Sequence, residues 1–360
     1  MRIKFEKRPN VANALIYLTP PLSVVLTIVV GLILFAFLGY SPWQTGYNFF
    51  IAPLLSLSSL TELAVKGAPL ILIAVGLAAG FRANVWNIGA EGQLIIGALA
   101  GGGVALAFWG DAGFWILPLM CLAGILGGMA WGAIPAFLKA QFDVNEILTS
   151  LMLTYVAQLV LTMLIYGPWK DPEGFNFPQS RMFSDSAMLP ILIEGTRLHL
   201  GTLIALLVAL GAWVLMARSI IGFQIRVIGL APAAGRYAGF DQKRVIWLTM
   251  MLGSGLAGLA GLFEVAGPIG QIIPKITPGY GFTAIIVAFL GRLNPLGIIA
   301  AGLLMALSYI GGENAQVVVG LPKAATGLFQ GMLLFFVLAS DFLVRYRVVF
   351  VPTERRSAAA

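Results

Sequence analysis

Charge is what this 360-residue chain has least of. Only 10% of its residues are Asp, Glu, Lys or Arg, while 59% are hydrophobic; an ordinary soluble domain carries about 25% charged residues. So few charges cannot give a globule a hydrated surface, which excludes a soluble enzyme. A single cysteine, Cys121, excludes an internal disulfide framework and a cysteine metal cluster. A single histidine, His199, excludes the His-rich sites of metalloenzymes. No lysine is followed by Ser or Thr, so there is no phosphate-binding P-loop. No carboxylate pair or histidine-based triad stands out. The net charge of +7 is no sign of nucleic acid here, because a membrane protein uses basic residues to set its orientation. The chain reads as an all-α integral membrane protein.

Apolar runs fall at 17–39, 64–81, 89–109, 114–138, 147–166, 200–216, 245–266, 280–291, 295–311 and 325–343. A spanning helix needs about 20 residues, so the sequence predicts a polytopic bundle of about ten transmembrane helices. The run at 280–291 is too short for a straight crossing and predicts a broken or partly re-entrant element. The basic start before the first run resembles a secretory signal, but no small-x-small cleavage site follows, so this run is taken as an uncleaved first span. The whole of 1–360 is expected to be one transmembrane domain with no fused soluble domain. Its long polar connections are 167–198 and 217–244.

With the N-terminus inside and ten crossings, Lys66, Lys170, Arg181, Arg197, Lys275 and Lys323 lie outside. The other 16 of the 22 basic residues lie inside, Arg8, Arg355 and Arg356 among them. Basic residues favour cytoplasmic loops, so both termini and 217–244 are expected in the cytoplasm and 167–198 on the outer face. Merging or splitting any earlier span would put the basic 217–244 loop outside.

Glycines recur four apart, as in Gly97 with Gly101, Gly124 with Gly128, Gly128 with Gly132 and Gly327 with Gly331. This spacing makes a flat strip on which two helices approach closely. Gly253-Ser-Gly255-Leu-Ala-Gly258 matches the dinucleotide fingerprint in letters only. That motif needs a preceding strand and a βαβ setting, and here it lies inside an apolar run, so it reads as packing glycine.

Ionisable residues inside spans are rare and mark function. They gather at a polar break between the second and third runs, where Arg82, Asn84, Asn87, Glu91 and Gln93 sit beside Gly89 and Gly92. Such a break either lines a translocation pathway or forms a tight turn in which Glu91 pairs with Arg82. A second break, Pro274-Lys-Ile-Thr-Pro-Gly-Tyr-Gly-Phe282, brings Gly279, Tyr280 and Gly281 to the start of the short run, as an unwound connection along the pathway or an ordinary loop.

The 217–244 loop is too regular for a solvated tether. Pro232 suits the first turn of a helix and Gly239 can end it, giving one or two helical turns flanked by Arg226, Arg236, Lys243 and Arg244. A short stiff element of this kind suits docking to a cytoplasmic partner; the alternative is that its basic residues only anchor lipid headgroups.

Three segments carry a family likeness, spread over roughly 80–300 within a resemblance that covers about 60–340. They are Asn87-Ile-Gly-Ala-Glu-Gly-Gln93, the stretch from Ile225 through Gly229, Pro232, Arg236 and Tyr237 to Gly239, and Gly279-Tyr-Gly-Phe-Thr283 running on to Gly297. Together they resemble permease subunits of binding-protein-dependent ABC importers, in the branched-chain amino acid and ribose-type group, and Val144-Asn-Glu146 fits its nucleoside branch. Ala231 and Gly235 depart from that pattern, which usually has Asn and Ala there. The resemblance implies a non-catalytic subunit in a bacterial plasma membrane, with no cofactor of its own. ATP and Mg would bind a separate ABC ATPase, which would dock on Arg226, Gly229, Pro232, Arg236, Tyr237 and Gly239, with Asn145 and Glu146 as a second cytoplasmic contact. A second permease, identical or a sister chain, would complete the pathway. A periplasmic or lipoprotein binding protein would deliver a nucleoside, sugar or purine. The competing reading is a self-sufficient secondary carrier or channel with Arg82 and Glu91 as its ionic element.

Overall fold

The computed structural model describes residues 2–7 and 13–351, so Arg8, Arg355 and Arg356 lie outside the described residues. The helices in chain order are α1 (Asn13–Phe37), α2 (Pro42–Gly46), α3 (Leu57–Arg82), α4 (Ala90–Ala107), α5 (Ile116–Phe142), α6 (Glu146–Tyr166), α7 (Leu200–Arg218), α8 (Ile220–Leu230), α9 (Pro232–Tyr237), α10 (Gln242–Glu264), α11 (Tyr280–Leu290), α12 (Pro295–Val319) and α13 (Lys323–Arg345). Among the described residues, nine of these are long and apolar enough to cross a membrane. At 11 residues, α11 spans only about 16 Å, roughly half the hydrocarbon thickness. The eighth expected run, 280–291, is therefore a half-length helix.

The chain falls into two compact units, each described in turn. In the unit formed by Met1–Tyr47 and Ala315–Ala360, α1 packs on α13. The Ser23 hydroxyl meets Ser340 Oγ at 3.1 Å, and an added Cβ on Gly31 would touch Phe329. This unit also holds an element the periodicity did not suggest: β1 (Arg2–Lys7) pairs antiparallel with β2 (Tyr346–Val351), from Arg2 opposite Val351 to Lys7 opposite Tyr346. The pairing sets residues 2–7 beside 346–351.

The unit Asn48–Asn314 holds the core. Helices α3 and α10 are buried along most of their length, whereas α6 and α7 present Met152, Leu159, Leu203 and Leu207 outward. In lipid this arrangement is reasonable, because large apolar side chains suit the lipid face and small residues let helices meet. The fingerprint-like glycines do the latter. A Cβ on Gly97 would lie 2.2 Å from Gly258 Cα, one on Gly128 2.3 Å from the Ser254 carbonyl, and one on Gly76 2.8 Å from Gly253 Cα. Helices α3, α4, α5 and α10 thus touch backbone to backbone. Gly327 and Gly331 have the same spacing, yet nothing lies within 4 Å of an added Cβ at either.

Candidate functional site

Helix α3 stops at Arg82, and Asn84 takes a left-handed φ of 58°. The chain then runs without helical bonds to Gly89. Buried N–H groups need partners, and α6 supplies them. Trp86 N donates to Glu146 Oε1 (3.2 Å) and Ile88 N to Ser150 Oγ (3.2 Å). Asn87 and Gln93 exchange amide hydrogen bonds of 2.9 and 3.1 Å, and Asn87 Oδ1 also accepts from Gly89 N. A Cβ on Gly89 would meet the Ser150 carbonyl and one on Gly92 the Thr154 Cα. Glu146, Ser150 and Thr154 are successive rungs four residues apart on one face of α6, about 6 Å per step. Helix α4 therefore begins about 6 Å inward of Glu146, with Gly89 opposite Ser150, and its first turn reaches Thr154 about 12 Å inward by the same rise.

The second break reaches this depth from the opposite end. After Gly270 (φ 76°) the chain descends past Pro274, whose carbonyl accepts from Gln158 Nε2 at 3.1 Å. Thr277 Oγ1 accepts from Gly279 N and Tyr280 N, and Gly279 turns the chain with φ 105°. Gly281 N then donates to Glu91 Oε2 at 2.6 Å. A Cβ on Gly281 would lie 2.2 Å from Glu91 N, so nothing larger fits. The N-termini of α4 and of the half-length α11 meet at one buried carboxylate. Both termini direct unpaired N–H groups and positive dipole ends toward it.

This corrects the tight-turn reading, because the partner of Glu91 is the α11 backbone and not Arg82. Arg82 instead lies near the like-charged Arg226. The ionic element of the carrier reading is not assembled.

The 217–244 segment holds more helix than expected, since α8 adds three turns before α9. Pro232 opens α9, and Gly239 (φ 79°) follows its end. The inner face of α8 buries Ile225 and Ile228 against Ala79, Ala83 and Val85 at the first break and Val245 and Ile246 of α10. Gly229 sits on the break itself, where an added Cβ would lie 1.8 Å from the Arg82 carbonyl oxygen. Gly235 also faces inward, toward Ile228. Arg226, Pro232, Arg236 and Gly239 are exposed, as are Leu230 (86%) and Tyr237 (97%). A large aromatic so fully open on a basic surface is the feature of this segment that calls for a partner.

Asn145 caps α6, accepting from Ile147 N and Leu148 N. Glu146 is buried and pairs with Lys139 at 3.3 Å while holding Trp86. It braces the break from within rather than facing outward. Sequence reasoning missed Ser150, Thr154 and Thr277; the four-residue spacing of Glu146, Ser150 and Thr154 was the signal for the first two. It also missed Glu264, which ends α10.

Residues 59–338 match the family described as branched-chain amino acid transport system / permease component. The chain is 38% identical to the glucose ABC transporter permease protein TsgB13 of Haloferax volcanii over 97% of this chain and 94% of that one. It is 31% identical to the guanosine ABC transporter permease protein NupP of Bacillus subtilis, covering 91% and 94%. The nucleoside ABC transporter permease protein NupB of Lactococcus lactis is 28% identical, over 91% and 92%. With its helical membrane fold and a match across most of its length, the chain belongs to the branched-chain amino acid transport system permease family, the membrane subunits of ABC transporters.

Proposed function

We propose that this chain forms half of the pathway of a plasma-membrane importer for an uncharged polar solute, a nucleoside or a simple sugar. A second permease completes the pathway, a separate ATPase that binds ATP and Mg docks on α8–α9, and a binding protein delivers cargo at the opposite face. The cargo class rests on the relatives, whose named solutes are glucose, guanosine and nucleosides.

One observation carries the coupling: Gly229 is seated on the Arg82 carbonyl. The exposed side of α8–α9 offers Arg236 and Tyr237 to a partner, while its buried side is locked to the break between α3 and α4. A push on the exposed side moves 82–89, then Glu91, and through Gly281 the start of α11. Packed interiors respond to such a push by switching arrangement rather than by deforming smoothly.

The test is reconstitution. Vesicles holding this permease, its ATPase and its binding protein should take up guanosine, uridine or glucose only with ATP. Changing Arg236→Glu together with Tyr237→Ala should leave the permease in the membrane and release the ATPase on pull-down. Uptake by this chain alone, indifferent to ATP and abolished by an uncoupler, would overturn the assignment.

A further inference from the structure

A groove opens where α5 and α10 run side by side, at the end of the Asn48–Asn314 unit where the coupling segment joins α10. Its cavity volume is about 630 Å³. One wall is a face of α10. At 3.6 residues per turn, Lys243, Arg244, Trp247, Leu248, Met251 and Leu252 fill one half of the α10 circumference and line the groove. The other half carries Val245, Ile246, Thr249 and Met250, all buried, and Val245 and Ile246 pack on α8. The groove therefore lies on the opposite side of α10 from the residues that hold the coupling segment. Met129 and Gln141 of α5 form the facing wall.

Its chemistry is split along its length. Lys243 and Arg244 are exposed at the mouth, and among the described residues no carboxylate lines the groove. Lys243 Nζ donates to the neutral Gln141 Oε1 at 3.1 Å. Arg244 Nε reaches Asp241 Oδ2 at 3.3 Å, a solvent-exposed pair of little strength. Lys139, the cation at the same end of α5, is taken by Asp143 and Glu146. Asp241 thus answers only one of the two cations at the mouth. Beyond them the lining is wholly apolar, with Leu248, Met251 and Leu252 facing Met129. Lys243 and Leu252 lie about 13 Å apart along the helix, close to the depth of hydrocarbon in one leaflet. Both helices are long and apolar enough to cross a membrane. Trp247 stands one turn inside Lys243, the position that tryptophan favours at a headgroup boundary.

We propose that this groove binds one anionic phospholipid from the leaflet at the coupling-segment end. The headgroup phosphate sits on Lys243 and Arg244, and one acyl chain lies along Trp247, Met251 and Leu252. Basic pockets between spanning helices take anionic headgroups in this way. A free anion would use the mouth and leave the apolar length unfilled. A second copy of this chain would cover the apolar wall and leave the surplus positive charge unanswered. A zwitterionic lipid brings its own cation to the mouth and gains less there. An anionic lipid meets both halves at once. It would sit beside the turn that joins the coupling segment to the core, where Asp241 caps α10 by accepting from Lys243 N and Arg244 N and Phe240 packs edge to face on Phe223 of α8 at 6.0 Å. The basic residues of 217–244 are thereby divided, Lys243 and Arg244 toward lipid and Arg236 toward a protein partner.

The experiment uses the full-length permease in micelles of a neutral detergent. It is titrated with phosphatidylglycerol or phosphatidylcholine brominated midway along one chain, and tryptophan fluorescence is read in the parent and in Trp247→Phe. The difference between the two is the quenching of Trp247 itself. Each basic residue near an anionic lipid is worth about fivefold in attraction, so phosphatidylglycerol should quench Trp247 at a lipid fraction at least tenfold lower than phosphatidylcholine. Lys243→Gln together with Arg244→Gln should erase that preference and leave the phosphatidylcholine titration unchanged. The exchange Lys243→Arg with Arg244→Lys should keep it. Excess glycerol 1-phosphate should not relieve the quenching. Equal quenching by the two lipids in the parent, or a preference that survives Lys243→Gln with Arg244→Gln, would overturn the site. Relief by glycerol 1-phosphate would make it a site for free anions, and no quenching of Trp247 by either lipid would assign the groove to a protein partner; each of these results also overturns the lipid site.

Discussion

Replacing Gly229 by alanine separates a seated coupling helix from a free one by the sign of its effect. In an unpacked helix, Gly→Ala stabilises by about 0.8–1.0 kcal/mol, because alanine loses less backbone entropy. Here the new Cβ would stand 1.8 Å from the Arg82 carbonyl oxygen, 2.8 Å from its carbon and 3.1 Å from Ala83 Cα. All three are backbone atoms, so no rotamer change relieves the contact. Reaching an ordinary separation near 3.4 Å moves α8 away from the break by about 1.6 Å, and overpacking of this kind costs about 1–3 kcal/mol. The expected result is normal insertion with basal ATPase retained, and with transport and cargo-stimulated hydrolysis reduced about 5–150-fold, since 1.4 kcal/mol is a factor of ten. Thermal unfolding and ATP-driven uptake of the reconstituted complex provide the assay. A Gly229→Ala complex that is as stable as the parent or more so, with full coupled uptake, would show that α8 does not work through the α3–α4 break.

Glu91→Gln keeps an acceptor for Gly281 N but replaces a charge-assisted bond with a neutral one, a loss of about 1 kcal/mol. Transport should fall about fivefold with little change in expression, and wild-type transport would leave Glu91 a capping role only. Gly258→Ala drives a Cβ to 2.3 Å from the Gly124 carbonyl, so detergent-extracted protein should melt several degrees lower; an unchanged melting point would refute backbone contact there. His199 is buried, with its ring packed by Gly201 and Gly267, and burial pushes its pKa down to about 4. The folded form stays neutral while the unfolded form gains a proton below about 6.5. The stability linked to His199 is therefore present above pH 6.5 and lost as pH falls toward 4, by about 2 kcal/mol between pH 7.5 and 5. Melting curves at the two pH values should converge for His199→Gln, and a slope that survives the substitution would contradict this.

Much of the fold was legible because lipid imposes simple rules. Spans must be apolar, and the glycines from Gly253 to Gly258 had to be packing surface once no strand preceded them. The half-length of α11 followed from counting residues, and Pro232 and Gly239 bracketed α9 as their backbone preferences dictate. The β1–β2 pairing was not legible, because it joins segments more than 330 residues apart whose alternation is too short to stand out beside the spans. The expected Arg82–Glu91 pair failed for a related reason. Neighbours in sequence across a turn are the obvious ion pair, but α4 starts about 6 Å inward of Glu146, which carries Glu91 away from Arg82 and up to Gly281.

The same geometry explains why Glu264 escaped notice while Glu91 did not. Glu91 announces itself through the glycines, amides and broken hydropathy around it, all local. Glu264 ends an apolar run with ordinary neighbours, and its significance lies in what other elements bring to it: Lys66 and Glu62 from α3, Arg197 from the outer loop and Tyr280 from α11. A sequence records the cost of a buried charge at its own position, but the compensation for that charge is distributed over the fold.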